Sequence, residues 1–197
     1  MLNAVILQNI NFSAEKKLNI ITEFKKFYNL NSMNKKEQIH NKIKSDLLVK
    51  GLKISGEDFE RPWGGFFKIG DESMIDFMSI YFSGVKLPFD ISKLNVSPKI
   101  LVVAPGMKLS WQSHERRAEL WRVVEGPVGI YTSPTDEQPD EMKVYQNDQI
   151  VEMELGTRHR LVGLDDWGIV AEIWIHKFPD NPSDEDDIRR ISDDFGR

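Results

Sequence analysis

Cysteine is absent from the 197 residues. That excludes disulfide frameworks, thiolate metal sites and thiol nucleophiles, so any metal must be held by histidine, carboxylate or amide oxygen. Histidine is scarce as well, with four in the chain: His40, His114, His159 and His176. No apolar run approaches the ~18 residues that a membrane span needs. The opening MLNAVIL has no basic residue before it and no small-residue cleavage site after it, so no signal peptide is expected. A soluble, cytoplasmic protein is the default expectation. Arginine is missing from residues 1–53, where ten lysines and four acids give a local charge of +6, against −11 for residues 54–197. These lysines are spread through amphipathic helical patterns, which reads as a solvated helix face and not as a nucleic-acid arm. Neither a nucleic-acid nor a membrane partner is expected.

The length suits one domain with an elaboration. A first helix is expected from Ser13, a suitable N-cap, through AEKKLNIITEFKKFYNL, with Leu18, Ile21, Phe24 and Tyr28 at helical spacing. A second follows Ser32, with Ile39, Ile43 and Leu47 four apart and Gly51 as the stop. Residues 1–55 are therefore read as an N-terminal helical appendage whose apolar faces need the flank of the next domain or a partner subunit to cover them. His40 is a surface residue in this reading. Met33 would serve as an alternative translation start, in which case residues 1–32 would not belong to the native chain.

From Phe59 onward the texture changes to short β-branched and aromatic runs broken by Gly, Pro, Asn and Asp: GGFFKIG, DFMSIYFSG, KILVVAPG, AELWRVVEGPVGIYTS, DQIVEMELG, HRLVG and GIVAEIWIHK. Many short strands with closely spaced turns mean a mainly β sandwich or barrel, here residues 56–197. The acidic, turn-rich tail after Phe178 would usually be dismissed as a solvated terminus.

One stretch breaks the alternation of a half-buried strand: LSWQSHERRAELW, residues 109–121. At period two, Gln112 and His114 share one face while Trp111 and Ser113 take the other. After the ERRA turn a second strand puts Glu119 on one face with Trp121 and Val123. These potential ligands can converge inside a barrel from adjacent strands, and His159 in GTRHRLV, after the tight turn that Gly156 permits, supplies a fourth. Two imidazoles, a carboxylate and an amide oxygen suit Zn²⁺ first, with Mn²⁺, Co²⁺, Fe²⁺ or Ni²⁺ as alternatives. Either histidine alone would read as an unrelated polar residue; the joint spacing carries the inference.

GMKLSWQSHERRAELWRVVEG resembles the first cupin motif, G-x5-H-x-H-x4-E-x6-G, at Gly106, His114, Glu119 and Gly126, with Gln112 in place of the first histidine. GTRH resembles the core of the second. A glutamine there, followed by S-H and R-A-E-x-W, is similar to type II mannose-6-phosphate isomerases and to the matching C-terminal domain of bifunctional mannose-1-phosphate guanylyltransferases. RPWGGFFKI, residues 61–69, resembles the segment that opens that domain, and DDIRRISDDFGR resembles its ending, with Phe195 for a tyrosine. The resemblance spans about residues 57–197 and lacks the nucleotidyltransferase domain, so guanylyl transfer is not expected. There are departures: Glu115, Arg116 and Leu120 stand where the family usually has histidines, Glu154 and Arg158 where it has prolines, and residues 71–95 look longer than the corresponding hairpin. Glu115 and Arg116 are therefore where a change of substrate is expected.

The resemblance implies a cupin (double-stranded β-helix, jelly-roll) barrel and a metal-dependent aldose–ketose isomerase acting on a sugar phosphate, such as mannose 6-phosphate and fructose 6-phosphate. In that chemistry a divalent metal stabilises an enediolate formed when a base takes the C2 proton. Glu172 and Lys177 are the base candidates, with His176 also considered; Glu172 and His176 share one strand face and Lys177 lies on the other. Arg117 and Arg197 match family arginines and would bind phosphate or stabilise the transition state, while Arg158 and Arg160 read equally as rim salt bridges. If the family pattern holds, the acidic tail folds back so that Arg197 reaches the site. Trp121 shares the Glu119 face and would line the cavity; Trp111 would pack under another strand. The partner is a small-molecule sugar or sugar phosphate, and a homodimer is a reasonable arrangement, since many cupins pair through barrel faces. Rival readings are an isomerase of a free sugar of the lyxose or mannose type, a cupin dioxygenase, against which the amide donor Gln112 argues, and a non-catalytic sugar-binding cupin.

Overall fold

The structure is a computed structural model that describes residues 35–85 and 96–196. The expected helix from Ser13 and the candidate Arg197 lie outside the described residues. The chain divides into two compact units, residues 1–43 and 44–197. Of the first only the start of a helix is described, and the architecture below belongs to the second. Helix α1 spans residues 35–49. It stops as a Schellman cap: Gly51 N–H donates to Leu48 O and Leu52 N–H to Leu47 O, at 3.0 Å each. Gly51 has φ +77°, a left-handed conformation that favours glycine. Leu47 and Leu52, which flank the cap, are each 1% exposed.

Eleven strands follow among the described residues: β1 (Ile54–Asp58), β2 (Gly64–Ile69), β3 (Val96–Val103), β4 (Trp111–Ser113), β5 (Arg117–Glu125), β6 (Val128–Ser133), β7 (Lys143–Tyr145), β8 (Ile150–Met153), β9 (Arg158–Gly163), β10 (Gly168–His176) and β11 (Arg189–Ser192). They form two antiparallel sheets, β1-β2-β3-β10-β5-β8 and β11-β4-β9-β6-β7, the jelly-roll expected of a cupin. Side chains of both sheets fill the interior, among them Phe66, Leu101, Trp121 and Val123 from the first and Val128, Ile130 and Leu161 from the second. β10 is the central strand of the larger sheet, and all nine of its residues are buried. A strand covered on both faces loses the polar alternation of a half-buried one, which explains the near-continuous GIVAEIWIH. Among the described residues no helix is long and apolar enough to cross a membrane.

Two expectations need correction. DFMSIYFSG is not a strand: a 3-10 turn, Asp71–Ser73, leads into helix α2, Met74–Tyr81. Phe77, Met78 and Tyr81 are buried while Ile75 is 75% exposed, a one-sided burial at helical spacing that the β-branched and aromatic composition disguised. The extra length in residues 71–95 is thus partly this helix, whose C-terminal carbonyl at Tyr81 accepts from Arg122 Nη1 of β5 at 2.7 Å. The second correction concerns β4 and β5. They are not neighbours in a hairpin, because β4 pairs with β9 and β11 in one sheet and β5 with β10 and β8 in the other. The ERRA turn carries the chain from sheet to sheet, so Glu119 on β5 stands in one sheet and Gln112 and His159 in the other.

Gly64 shows why RPWGG opens the barrel. Its φ is +141°, and a Cβ there would stand 2.0 Å from the Val102 carbonyl oxygen of the paired strand. Gly64→Ala is expected to cost at least ~2 kcal/mol, since strain and a backbone clash act together, and to lower the urea midpoint without changing the slope.

Candidate metal centre and cavity

Period-two geometry on β5 turns Arg117, Glu119, Trp121 and Val123 to the interior, and β9 presents His159 directly opposite Gln112 of β4. His114, Glu119 and His159 come together, none more than 3% exposed, with one donor atom of each within 4.8 Å of the others. Both imidazoles are oriented by a backbone carbonyl at Nδ1: Asp187 O for His114, and Thr157 O at 3.0 Å for His159. A carbonyl only accepts, so Nδ1 carries the proton and each Nε2 is left as an acceptor, which at His114 takes an N–H of Arg117 Nη2 at 3.0 Å. Glu119 completes the group, with Oε1 3.2 Å from His114 Nε2 and Oε2 3.2 Å from His159 Nε2.

Glu119 Oε2 and His159 Nε2 are buried and neither makes a hydrogen bond. Leaving such atoms unsatisfied is costly unless something else takes their lone pairs. The spacings fit an ion: around a metal with bonds of ~2.1 Å, ligand atoms stand about 3.0–3.4 Å apart in octahedral or tetrahedral geometry. Gln112 is the fourth expected donor. Its Nε2 lies 3.4 Å from His114 Nε2 while its Oε1 accepts from Ser110 Oγ at 2.5 Å. A half-turn of the amide would bring oxygen to the centre and let the NH2 donate to Ser110. The donor set therefore fits a divalent cation.

The electrostatics of His114 and Glu119 support the same use, whereas at His159 burial is outweighed by the Glu119 carboxylate, which raises the imidazole above its ordinary value. Burial, partly countered by Glu119, pushes His114 down to about 4, which keeps it neutral and able to donate its lone pair. Burial would raise Glu119, but His114, His159 and Arg117 outweigh it and hold the carboxyl well below its ordinary range. Arg117 is itself 4% exposed. Its Nε donates to Glu119 Oε1 at 2.8 Å, its Nη2 lies 3.0 Å from His114 Nε2, and its guanidinium stacks 3.6 Å from the Trp174 ring centroid.

Beside this cluster lies a cavity of about 110 Å³ whose wall includes Gln112, Arg117, Trp121, Glu172 and Trp174, with Lys99 beside them. Trp121 thus lines it as expected, and its Nε1 donates to Glu172 Oε1 at 3.0 Å. Burial, reinforced by the charge of Glu119, raises Glu172 from 4.5 to about 7. Lys177 is not brought to the cavity; it follows the end of β10, where its Nζ lies 3.8 Å from Glu154 at the surface. His176 is buried and not an exposed strand end, accepting from Ser183 N–H at Nδ1 and facing Ser97 Oγ with Nε2, at 2.9 Å each. Trp111 points to the opposite face and donates to Asp136 O at 2.7 Å. Arg158 pairs with Asp136 at 2.7 Å, and Arg160 donates to Ser192 O and Oγ, so neither reaches the cavity wall.

The tail does fold back. β11 pairs with β4, placing Arg190 opposite Gln112. Asp187 accepts Glu115 N–H and Arg116 N–H at 3.0 and 3.1 Å and Ser183 Oγ–H at 2.6 Å. Arg116, expected to vary the substrate, instead ties down the tail through Asn181, Pro182 and Asp184, and Glu115 is exposed. Asp187, Ser183 and Lys99 were missed at the level of sequence. A lone lysine inside the apolar strand VSPKILVV was the signal for Lys99; for Asp187 the closing D-D-I motif was.

A family model described as mannose-6-phosphate isomerase C-terminal matches residues 90–193. No curated protein matches the chain in sequence. Among solved structures, similarity extends to the capsular polysaccharide assembling protein CapF from Staphylococcus aureus, 19% identical with a TM-score of 0.42 over 71% of this chain and 34% of CapF. KdgF from Halomonas sp. is 12% identical with a TM-score of 0.43, over 64% of this chain and 89% of that one. Vicilin from Corylus avellana is 13% identical with a TM-score of 0.47, over 66% and 34%. The chain spans about a third of CapF and of vicilin.

Two outcomes are expected. Asp187→Ala should weaken divalent-metal affinity about 10–100-fold in a chelator competition, because it frees the segment whose carbonyl orients His114. In metal-free protein, folded Glu172 keeps a proton that the unfolded chain releases above pH 4.5, so stability falls as pH rises from 4.5 towards 7. Glu172→Gln removes that loss, and its urea midpoint should exceed that of the parent by an amount that grows across this window and then levels off.

Proposed function

Because the chain belongs to the mannose-6-phosphate isomerase C-terminal family, we propose that it is a metal-dependent aldose–ketose isomerase of the type II class, acting on a sugar phosphate such as mannose 6-phosphate and fructose 6-phosphate. The observation that carries this reading is the buried His114–Glu119–His159 group, with orphaned Glu119 Oε2 and His159 Nε2, set beside a cavity that holds a second buried carboxylate. Gln112, His114, Glu119 and His159 would hold the ion, Zn²⁺ first among the divalent metals. When bound it supplies Lewis-acid stabilisation of the negative charge that develops on the sugar oxygens.

Glu172 is the base. Its value near 7 leaves a large carboxylate fraction at neutral pH while making that carboxylate a stronger proton acceptor than an ordinary one. Trp121 fixes Oε1 by its hydrogen bond, which leaves Oε2 to work on the substrate. Glu119, committed to the ligand group, stays out of proton transfer. Arg117 supplies positive charge beside the reacting oxygens, and its bonds to Ser183 Oγ and Asp187 O fix it in place. Arg61 and Arg190, which line the cavity, and the C-terminal Arg197 are the cations for phosphate.

A second reading is isomerisation of a free sugar of the lyxose or mannose type. It draws support from the engagement of Arg158 and Arg160 by Asp136 and Ser192, which removes two of the expected phosphate ligands. Paired assays separate the readings: the phosphorylated sugar should give a kcat/KM at least ~10-fold above that of the free sugar. His114→Ala should lose bound metal and at least ~100-fold in kcat/KM. A variant that keeps both its metal and full turnover ends the assignment of this site.

A further inference from the structure

The cavity wall carries a second buried ionisable group that neither the ligand cluster nor the base uses. Lys99 on β3 and Glu172 on β10 are direct cross-strand partners. That places their Cβ atoms about 5 Å apart on one face of the sheet. Both line the cavity. Lys99 is 5% exposed; its Nζ sits 3.5 Å from the Trp174 ring centroid and donates to Glu185 Oε1 of the returning tail at 2.7 Å. Fastening the tail does not by itself require this burial, because Lys68 already holds the same Glu185 oxygen at 2.8 Å from a more exposed position. Burial of an ammonium group is costly, and a lysine retained in a cavity wall is a functional signal.

We propose that Lys99 is a catalytic residue that moves the oxygen-bound proton of the isomerisation while Glu172 moves the carbon-bound one. The proposal rests on the isomerase reading of the site. An aldose becomes a ketose by two relocations of hydrogen, one from C2 to C1 and one from the C2 hydroxyl to the C1 carbonyl oxygen. The Glu172 carboxylate takes the proton from C2 as the C1–C2 double bond forms and the carbonyl electrons move onto O1. The Lys99 ammonium gives O1 a proton and becomes an amine, which then takes the proton of the C2 hydroxyl. As C2=O forms, the double-bond electrons take the proton back from Glu172 at C1. Both side chains finish as they began, and no oxidant, reductant or further reactant is consumed. Burial lowers the Lys99 pKa and raises that of Glu172, which brings the two groups closer in acidity, as a reversible exchange requires.

The test uses the full-length, metal-loaded protein in D2O with mannose 6-phosphate and its free-sugar counterpart, following C2–H exchange and ketose formation by NMR. Lys99→Arg keeps a cation beside Glu185 and Trp174 but cannot release a proton at neutral pH, and Lys99→Met removes the charge. Metal content and thermal midpoint are measured alongside. The expected result is a fall of about 100-fold or more in ketose formation in both variants, with exchange reduced less than ~10-fold, so that the ratio of exchange to conversion rises at least ~10-fold. Conversion by Lys99→Arg within ~3-fold of the parent would show that the residue only anchors the tail, and overturns the proposal. Parallel loss of exchange and conversion in metal-replete, folded variants overturns it too, because Lys99 would then act in binding. A parent protein that neither exchanges nor converts either sugar overturns the isomerase reading itself.

Discussion

The structure of the site depends on one carbonyl. Asp187 O accepts the Nδ1–H of His114, and it belongs to the tail segment that leads into the edge strand β11. Without that acceptor the imidazole could turn or change tautomer, and the lone pair at Nε2 would no longer be committed to the centre. The Asp187 carboxylate fixes the carbonyl by accepting from Glu115 and Arg116 in the sheet-to-sheet turn. Tail and turn therefore hold each other, and the histidine between them inherits the rigidity of both. A donor set on strands alone would leave His114, just beyond the end of β4, without this support.

The same tail resolves an electrostatic problem. Arg117, Glu119, Glu172 and Lys99 are all buried in or beside one cavity, and isolated charges there would cost far more than the fold can supply. They are tolerated because each has a stated partner: Arg117 with Glu119, Ser183 and the tail carbonyls, Lys99 with Glu185 and two aromatic faces, Glu172 with Trp121. The Lys99 and Glu172 partnerships depend on the returning tail and on the sheet register, which no local stretch of sequence states. Glu172 is the least compensated: burial and the charge of Glu119 raise its pKa, and Lys99, Arg117 and the Trp121 hydrogen bond offset them only in part.

Much of this was legible in the sequence where the chemistry is local. The spacing of Gln112, His114 and Glu119, with His159 after GTR, pointed to a group of which the barrel brings donor atoms of His114, Glu119 and His159 within 4.8 Å of one another and sets Gln112 opposite His159. The many short runs implied two β sheets. What failed was non-local or ambiguous in period. DFMSIYFSG carries β-forming residues, yet its apolar positions Phe77, Met78 and Tyr81 satisfy a helix face equally well, and packing beside β3 decided the matter. The placement of β4 and β5 in opposite sheets depends on which strands pair, and no residue in ERRA states it. Arg116 is expected to vary the substrate because it stands where the resembling family carries a histidine; its partner Asn181 lies 65 residues downstream. Lys177 and His176 are adjacent in sequence, but the end of β10 sends one to the surface and the other into the fold.

The arrangement also separates roles that a single strand would otherwise mix. Inward positions 117, 119 and 121 of β5 carry in turn a cation, a carboxylate of the candidate ligand group and the hydrogen-bond donor to Glu172, at successive depths along one strand. Across the ladder, β10 sets Glu172 opposite Trp121 on one side and opposite Lys99 on the other. Because register fixes both neighbours at once, a slip of one residue in β10 would turn Glu172 out of the cavity and bring an apolar side chain in. The full burial of β10 penalises such a slip along its whole length. A strand buried along its whole length is thus the one that fixes Glu172, and the position of that carboxylate in the cavity is as stable as the packing around it.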